Sequence, residues 1–579
     1  MIDRYERAMA CVAGGQRSEA FAILRGLVEQ DPGHHQAYVA LANLFVEEEN
    51  ISQALECVRL AIEACPTSSV YKQKFVHLVQ HMRVRRANPA MKEMLLDCLA
   101  DPRVNCAPLA AVWHSAIAHD PRLRPLIAGR RGRLAPALLD PCFLAGLERL
   151  LVCDAAFEGG LTNLRRTLLR ALLRKGGESR HAGFAPLVKA LACYCHRSQY
   201  VFFSTAEEER TVATLRRGLE KRGLDESSTT RLLLLACYQP LHLLKNAPAL
   251  LERALESGAP PLVLDLLRLQ VNPWLRQQEI RKSMALEGGI RDHMSRKVRA
   301  QYEGFPYPQW ESASRTIKDE VAEGWLRGRK ANILVAGCGT GIEPIELAAV
   351  FTEADVLAVD LSLSSLSYAR MKADDYGLRN VRFAQGDLLT LDSLGRQFDY
   401  IACSGVLNCL REPVEGWRVL TRLLRPGGTM RIALYSRRAR AAITRARAVI
   451  AQRHYGTDAP GIRWFRKNIG RALKARDVRD ISNFRDYFYL SGCCDLLFAA
   501  QEQVFDLREI GQALESLDLE FVKFSLPDAV MRRYVRDNPG DPEARNLDLW
   551  ARFEDENPHT FRSMYRFWCR PARPATSTM

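Results

Sequence analysis

Apolar residues recur at three- and four-residue spacing from the N-terminus to Leu269, the period of amphipathic helices that each bury one face. Segments 91–99, 143–151 and 161–173 carry it most plainly. Short loops at Asp101-Pro102, Asp120-Pro121, Asp140-Pro141 and 258–261 punctuate them, because proline cannot continue the helix that precedes it. After Arg329 the pattern changes to short apolar runs rich in β-branched residues, alternating with helical stretches. Runs at 331–336, 356–359, 381–385, 398–403 and 429–434 predict five strands of a parallel sheet with helices packed on it.

A second periodicity lies over the first helices. Asp31-Pro32 and Pro66 close successive helical pairs 34 residues apart, and Ala20 aligns with Ala54 in that frame. Tyr38, Leu41, Ala42, Ala54, Ala61 and Pro66 supply the aromatic, the leucine, the small contact residues and the terminating proline that resemble tetratricopeptide repeats. Ala8 and Gly15 fit a weaker first unit. Past Tyr71 the register fades, and the helices that follow are expected to continue the solenoid or to form a docking surface for a substrate.

Composition changes this picture in two ways. With 579 residues, 47% apolar and 26% charged, the chain is ordinary globular material, enough for three or four domains rather than an extended disordered protein. The N-terminus is not a signal sequence, and no apolar run approaches the roughly 18 residues of a membrane span, so the expectation is a cytoplasmic protein. Sixteen cysteines are scattered without a repeated C-x-x-C spacing, and His454 and His559 stand alone, so neither disulfides nor a metal site is expected. The net charge of +15 is concentrated: residues 437–480 hold 13 Lys/Arg against 3 Asp. Arg437, Arg438, Arg440, Arg445, Arg447 and Arg453 read first as a solvated basic helix face. An acidic protein or small substrate, or less favourably a nucleic acid, are the other readings.

The chemistry concentrates where the first strand runs into Gly337-Cys338-Gly339-Thr340-Gly341. Glycine permits the sharp turn and lets a ligand approach main-chain amides. The second strand ends at Asp360, 19 residues after Gly341, where a carboxylate accepts hydrogen bonds from two ribose hydroxyls; Leu361 follows. The third strand leads to Gly386-Asp387-Leu388, an acid suited to an adenine amino group. Ser404 and Asn408 follow the fourth strand, at the carboxyl edge where open α/β sheets bind ligands. Arg425-Pro426-Gly427-Gly428 then turns into the fifth.

This ordered set resembles the class I S-adenosylmethionine-dependent methyltransferases. The resemblance implies an α/β Rossmann-like seven-stranded domain, with sixth and seventh strands at 519–525 and 565–569 and insertions at 437–516 and 528–561 that cover the substrate pocket. It implies S-adenosylmethionine as cofactor, held by Gly337, Cys338, Gly339, Thr340, Gly341, Asp360, Leu361, Asp387, Leu388 and Ser404. The whole chain looks like a bacterial group that joins tetratricopeptide repeats and a helical body to this domain, with a Q-Y-E-x-x-P-Y-P-x-W segment ahead of it, here Gln301 to Trp310. The expected division is repeats at 1–80, an all-helical middle at 81–275, an aromatic linker at 276–325, the cofactor-binding core at 326–436, a basic helical insertion at 437–518 and the final strands at 519–579. Two positions depart from the pattern. Val335 stands where many such domains carry an acid, so the amino-acid end of the cofactor needs another polar partner; Asn408-Cys409 stands where related domains read His-His.

Methyl transfer from a sulfonium is a direct displacement, so the protein mainly aligns the acceptor and excludes water. Asn408, Tyr302 and Tyr307 are the candidates for residues near the reacting atoms. Tyr302, Tyr307 and Trp310 equally fit a clasp packing helix to sheet. Glu502 and Asp495 read as surface helix charges, with a pocket acid as the alternative. The expected acceptor is a protein or peptide positioned by the repeats. A small metabolite such as a quinone or sugar is the second reading, and a scaffold that binds cofactor without turnover the third.

Overall fold

The computed structural model describes residues 2–129, 134–222, 228–287, 289–313, 324, 326 and 328–572. Part of the expected linker therefore lies outside the described residues. The chain divides into two compact units, Met1–Gln270 and Val271–Met579.

The first unit is helical. Helices Ile2–Ala13, Arg17–Gln30, His35–Glu47, Ile51–Ala64 and Ser69–Val79 pack consecutively. Ala20, Ala42, Ala54 and Ala61 are fully buried, because methyl-sized side chains let neighbouring helices approach closely. Side chains of His34, Asn50 and Ser68 accept from the first free amides of the next helix, which sets where each one begins. Further along, Arg165 is 2% exposed on helix Ala155–Leu172. Its guanidinium donates to the Phe203 carbonyl at 3.0 Å and lies 4.1 Å from the Tyr238 ring centroid, so a buried cation joins three segments there.

The second unit is built on an eight-stranded sheet: β1 (Ala285–Glu287), β2 (Asn332–Ala336), β3 (Asp355–Asp360), β4 (Val381–Gly386), β5 (Phe398–Ser404), β6 (Leu424–Tyr435), β7 (Leu519–Phe524) and β8 (Met564–Pro571). Their order is β1-β4-β3-β2-β5-β6-β8-β7, with β8 antiparallel to both neighbours and the other pairs parallel. The seven expected strands are present, and the three-residue β1 adds an eighth at the edge beside β4. Its shortness left it without a readable period. Alternation explains the continuous apolar runs: Ile333 and Val335 enter one core with Val356, Ala358 and Tyr400, while Leu334 and Ala336 enter the other with Leu357, Ile401 and Met430. A parallel sheet covered on both faces buries both sets.

The order of the strands switches at β2, with β3 and β4 laid down on one side and β5 and β6 on the other, opening a crevice at the carboxyl ends of these parallel strands. The insertion after β6 supplies helices Ala441–Gln452, Ala459–Ala472, Ala475–Ser482 and Leu490–Phe498. Helices Asp528–Asp537 and Leu547–Glu556 lie between β7 and β8, where Trp550 is fully buried and stacked 3.6 Å from the Tyr534 ring.

Candidate active site

A cavity of about 640 Å³ opens at the crevice. Its floor is the glycine-rich turn after β2. Gly337 and Gly339 both have positive φ, 72° and 52°. A Cβ on Gly337 would collide with the Val406 side chain, and one on Gly339 with the Tyr307 carbonyl, so glycine is required at both positions by conformation and by space. The Gly337 and Cys338 amides donate to the Val359 carbonyl at 2.7 and 3.0 Å, tying the turn to β3. Gly337, Cys338 and Gly339 line the cavity; Thr340 and Gly341 are not among the lining residues. Thr340 instead donates its amide to the Tyr307 carbonyl at 3.1 Å and its hydroxyl to the Pro308 carbonyl, and its side chain accepts from the Trp310 indole at 3.1 Å.

Two carboxylates stand at strand ends beside this turn. Asp360 accepts from the Gly339 amide at 2.8 Å and the Ser362 amide at 2.9 Å. Burial pushes its carboxyl above the ordinary value and the Glu303 charge adds to the rise, while the amides counter it. Asp387 is 1% exposed; one oxygen accepts from the Leu389 amide at 3.1 Å, and the other is buried without a hydrogen-bond partner. Burial raises its carboxyl too, while the neighbouring Ser295 hydroxyl and the Leu389 amide counter the rise. A buried acceptor left open toward a cavity fits a ligand that brings its own donor, as an exocyclic amine does. Leu361, Leu388 and Ser404 complete this side of the lining. Where Val335 offers no acid, Glu343 and Arg431 line the cavity as an ion pair at 2.6 Å.

The aromatic segment from Gln301 to Trp310 has two roles. Tyr302 and Tyr307 line the cavity. Trp310 is 6% exposed in the sheet's second core, and the Glu303 carboxylate caps helix Leu363–Asp375 by accepting from the Leu363 and Ser364 amides at 2.7 and 3.1 Å. The segment is thus wall and clasp at once.

Asn408 is fully buried but is not among the lining residues. Its side-chain nitrogen donates to the Gln503 carbonyl at 2.7 Å and its main-chain carbonyl accepts from the Gln503 amide at 2.8 Å. It holds the end of the long insertion against the sheet, because the short helix Leu407–Cys409 turns it away from the crevice while Cys409 reaches in. The expectation of a reacting-atom role at Asn408 is therefore corrected to a positioning one.

The insertion corrects a second expectation in part. Arg440 is 2% exposed, donates twice to Glu502 at 3.0 and 2.5 Å and lies 3.8 Å from the Tyr435 ring centroid. Arg437 pairs with Glu509, Arg438 with Asp555 and Arg445 with Asp477. Arg437, Arg438, Arg445 and Arg453 remain exposed, as the solvated-face reading expects, and the first three pair at the surface; Arg440 alone of these is withdrawn into the interior on its partner. Asp495 is likewise 6% exposed and lines the cavity, where it accepts from the Tyr302 hydroxyl at 2.6 Å. Burial pushes its carboxyl up to about 6. Asp486, which also lines the cavity, accepts from Tyr489 at 2.6 Å and is raised by burial. Tyr435, which also lines the cavity, ends β6 one residue beyond the predicted fifth strand, and nothing in the local pattern marks it or Asp486 as a site residue.

A sheet of this order, with a glycine-rich turn after its first core strand and acids ending the next two, defines a class I S-adenosylmethionine-dependent methyltransferase domain. Residues 328–459 match the family model described as a methyltransferase domain. Over 180 residues the chain is 30% identical to an uncharacterised protein of Synechococcus sp., covering 28% of this chain and 42% of that one. Over 105 residues it is 36% identical to the trans-aconitate 2-methyltransferase of Deinococcus radiodurans, covering 18% and 37%. The chain thus spans less than half the length of these relatives. Among solved structures it is similar to PKMT2 from Rickettsia typhi in complex with AdoHcy, at 18% identity and a TM-score of 0.36, covering 46% of this chain and 55% of that one.

Proposed function

We propose that the chain transfers a methyl group from S-adenosylmethionine to a protein or peptide, with the N-terminal tetratricopeptide-like hairpins selecting the partner. The observation that carries the transfer reading is that one cavity is lined both by Gly337, Cys338, Gly339, Asp360 and Asp387 and by tyrosines and further carboxylates. The nucleoside side is where Asp360 accepts ribose hydroxyls and the open Asp387 oxygen accepts an amine. When bound, the cofactor supplies an electrophilic methyl group on a sulfonium, and the walls formed by Tyr302 and Tyr307 exclude water.

The protein-acceptor reading rests on the helical unit, since consecutive hairpins present surfaces suited to polypeptides. Full-length protein incubated with methyl-labelled S-adenosylmethionine and cell extract tests it. Label in acid-precipitable, protease-sensitive material supports a polypeptide acceptor. Label only in the small-molecule fraction replaces it with a metabolite, for which the tyrosine-lined cavity is also suited. Cofactor binding without label in either fraction leaves the scaffold.

A further inference from the structure

Besides the strand-end acids, the cavity is lined by Tyr302, Tyr307, Tyr435, Asp486, Asp495 and Arg440. These residues come from the segment ahead of β2, the end of β6 and the insertion, so the tertiary fold alone assembles them. Asp495 takes a hydroxyl from Tyr302 and Asp486 one from Tyr489, and among the described residues neither carboxylate is in an ion pair. Arg440, a buried cation lining the same cavity, is already bidentate on Glu502, with Arg447 3.6 Å from the same carboxylate. The cavity therefore presents a buried acid, Asp495, and a half-buried one, Asp486, neither in direct contact with a cation although Arg440 favours the charge of both and Arg485 that of Asp486, and burying a carboxylate without a contacting counter-charge is costly. A ligand that brings a positive charge offsets that cost; a neutral hydroxyl does not, and an anionic carboxylate increases it.

We infer that the methyl acceptor is an amine, seated as its ammonium form against Asp495 and Asp486, with Asp495 as the group that takes its proton. This rests on the methyltransferase reading above. One N–H bond breaks as the proton passes to the Asp495 carboxylate, leaving a lone pair on nitrogen. The nitrogen then forms its bond to the methyl carbon while the S–C electron pair leaves on sulfur, so a neutral thioether and a methylated ammonium result. Tyr302 fixes the orientation of the carboxylate. The titratable and charged groups around Asp495 are Tyr302, Tyr307, Cys409, Tyr435, Arg440, Arg447, Asp486, Tyr489, Cys494 and Glu502. Asp486 and Glu502 raise its proton affinity and Arg440 lowers it.

The test is calorimetry on the full chain saturated with S-adenosylhomocysteine, titrated with n-hexylammonium chloride or with 1-hexanol. The ammonium is expected to bind wild type with a dissociation constant in the roughly millimolar range and to bind Asp495→Asn about tenfold or more weakly, with hexanol silent and the S-adenosylhomocysteine affinity unchanged. Hexanol binding as well as the ammonium, equal ammonium binding by the variant, or a variant whose loss falls on S-adenosylmethionine against S-adenosylhomocysteine would each overturn the inference; the last would assign Asp495 to the sulfonium. Should Asp495→Asn fail to fold, wild type alone decides. Ammonium affinity should rise about tenfold from about pH 5 to about pH 7.5 as the carboxylate ionises, and a flat profile overturns the proposal. Failure of wild type to bind S-adenosylhomocysteine is a different result, which removes the methyltransferase reading itself.

Discussion

Replacing Asp360 with alanine removes the carboxylate that joins the glycine-rich turn to the ribose. In the structure its two oxygens already accept from the Gly339 and Ser362 amides. An ionised carboxylate has about four acceptor positions, so two ribose hydroxyls add to those bonds without displacing them. Each hydrogen bond to a charged acceptor contributes about 1.5–3 kcal/mol, so losing two weakens cofactor binding by about 3–6 kcal/mol, at least about a hundredfold in dissociation constant. The Gly339 amide also loses its partner, at a cost to stability of about 1–3 kcal/mol; thermal melts must therefore confirm a folded variant at the assay temperature. Calorimetric titration with S-adenosylhomocysteine reads the affinity. Binding by Asp360→Ala within about threefold of wild type, well under 1 kcal/mol, would refute the placement of the ribose.

Arg440→Met should destabilise the protein by about 3 kcal/mol in urea unfolding, because Glu502 is left buried with only the more distant Arg447 nearby. Arg440→Met combined with Glu502→Leu should cost much less, and equal costs would show that the pair does not matter as a pair. Asn408→Ala should lower stability by about 1–2 kcal/mol through its lost bond to Gln503, with S-adenosylhomocysteine affinity unchanged; a large loss of affinity without destabilisation would restore it to the site. Asp495 has a folded value of about 6 against 3.8 in the ordinary range, so its contribution to stability is whole below about pH 3.8 and is lost as pH rises through about 6. Asp495→Asn should accordingly be more stable than wild type by up to about 3 kcal/mol near pH 7.5, since each tenfold change in proton affinity on folding is worth about 1.4 kcal/mol, with the advantage shrinking toward pH 4. A variant less stable than wild type at both ends of that range would contradict the burial argument.

Much of the cofactor side was legible because it is local. The Gly337–Gly341 turn, Asp360 and Asp387 each follow directly from a strand whose apolar run announces it, and a parallel sheet buried on both faces must place strand ends together. The five strands between 331 and 434 and the helical character of residues before Leu269 follow from period, whereas the sixth and seventh strands come from the family resemblance. What period does not encode is which side of a short turn a residue faces. Asn408 and Cys409 are neighbours, yet only Cys409 reaches the cavity. Within the glycine-rich run, Thr340 faces the Trp310 clasp rather than the cavity, which the motif does not distinguish.

The acceptor side was decided by tertiary structure. Tyr302 and Asp495 are 193 residues apart and meet at 2.6 Å; Arg440 and Glu502 are 62 apart and neutralise one another in the interior. In sequence these acids and arginines look like the charges of exposed helices, since a helix of mixed composition gives no sign of which residues its neighbours will cover. The sequence by itself determined the strands, the glycine-rich turn and the acids at strand ends, because those depend on backbone conformation and nearest neighbours. Only the packing of the insertion over the sheet decided which charges became buried, and burial is what turns a surface carboxylate into one able to hold and accept a proton.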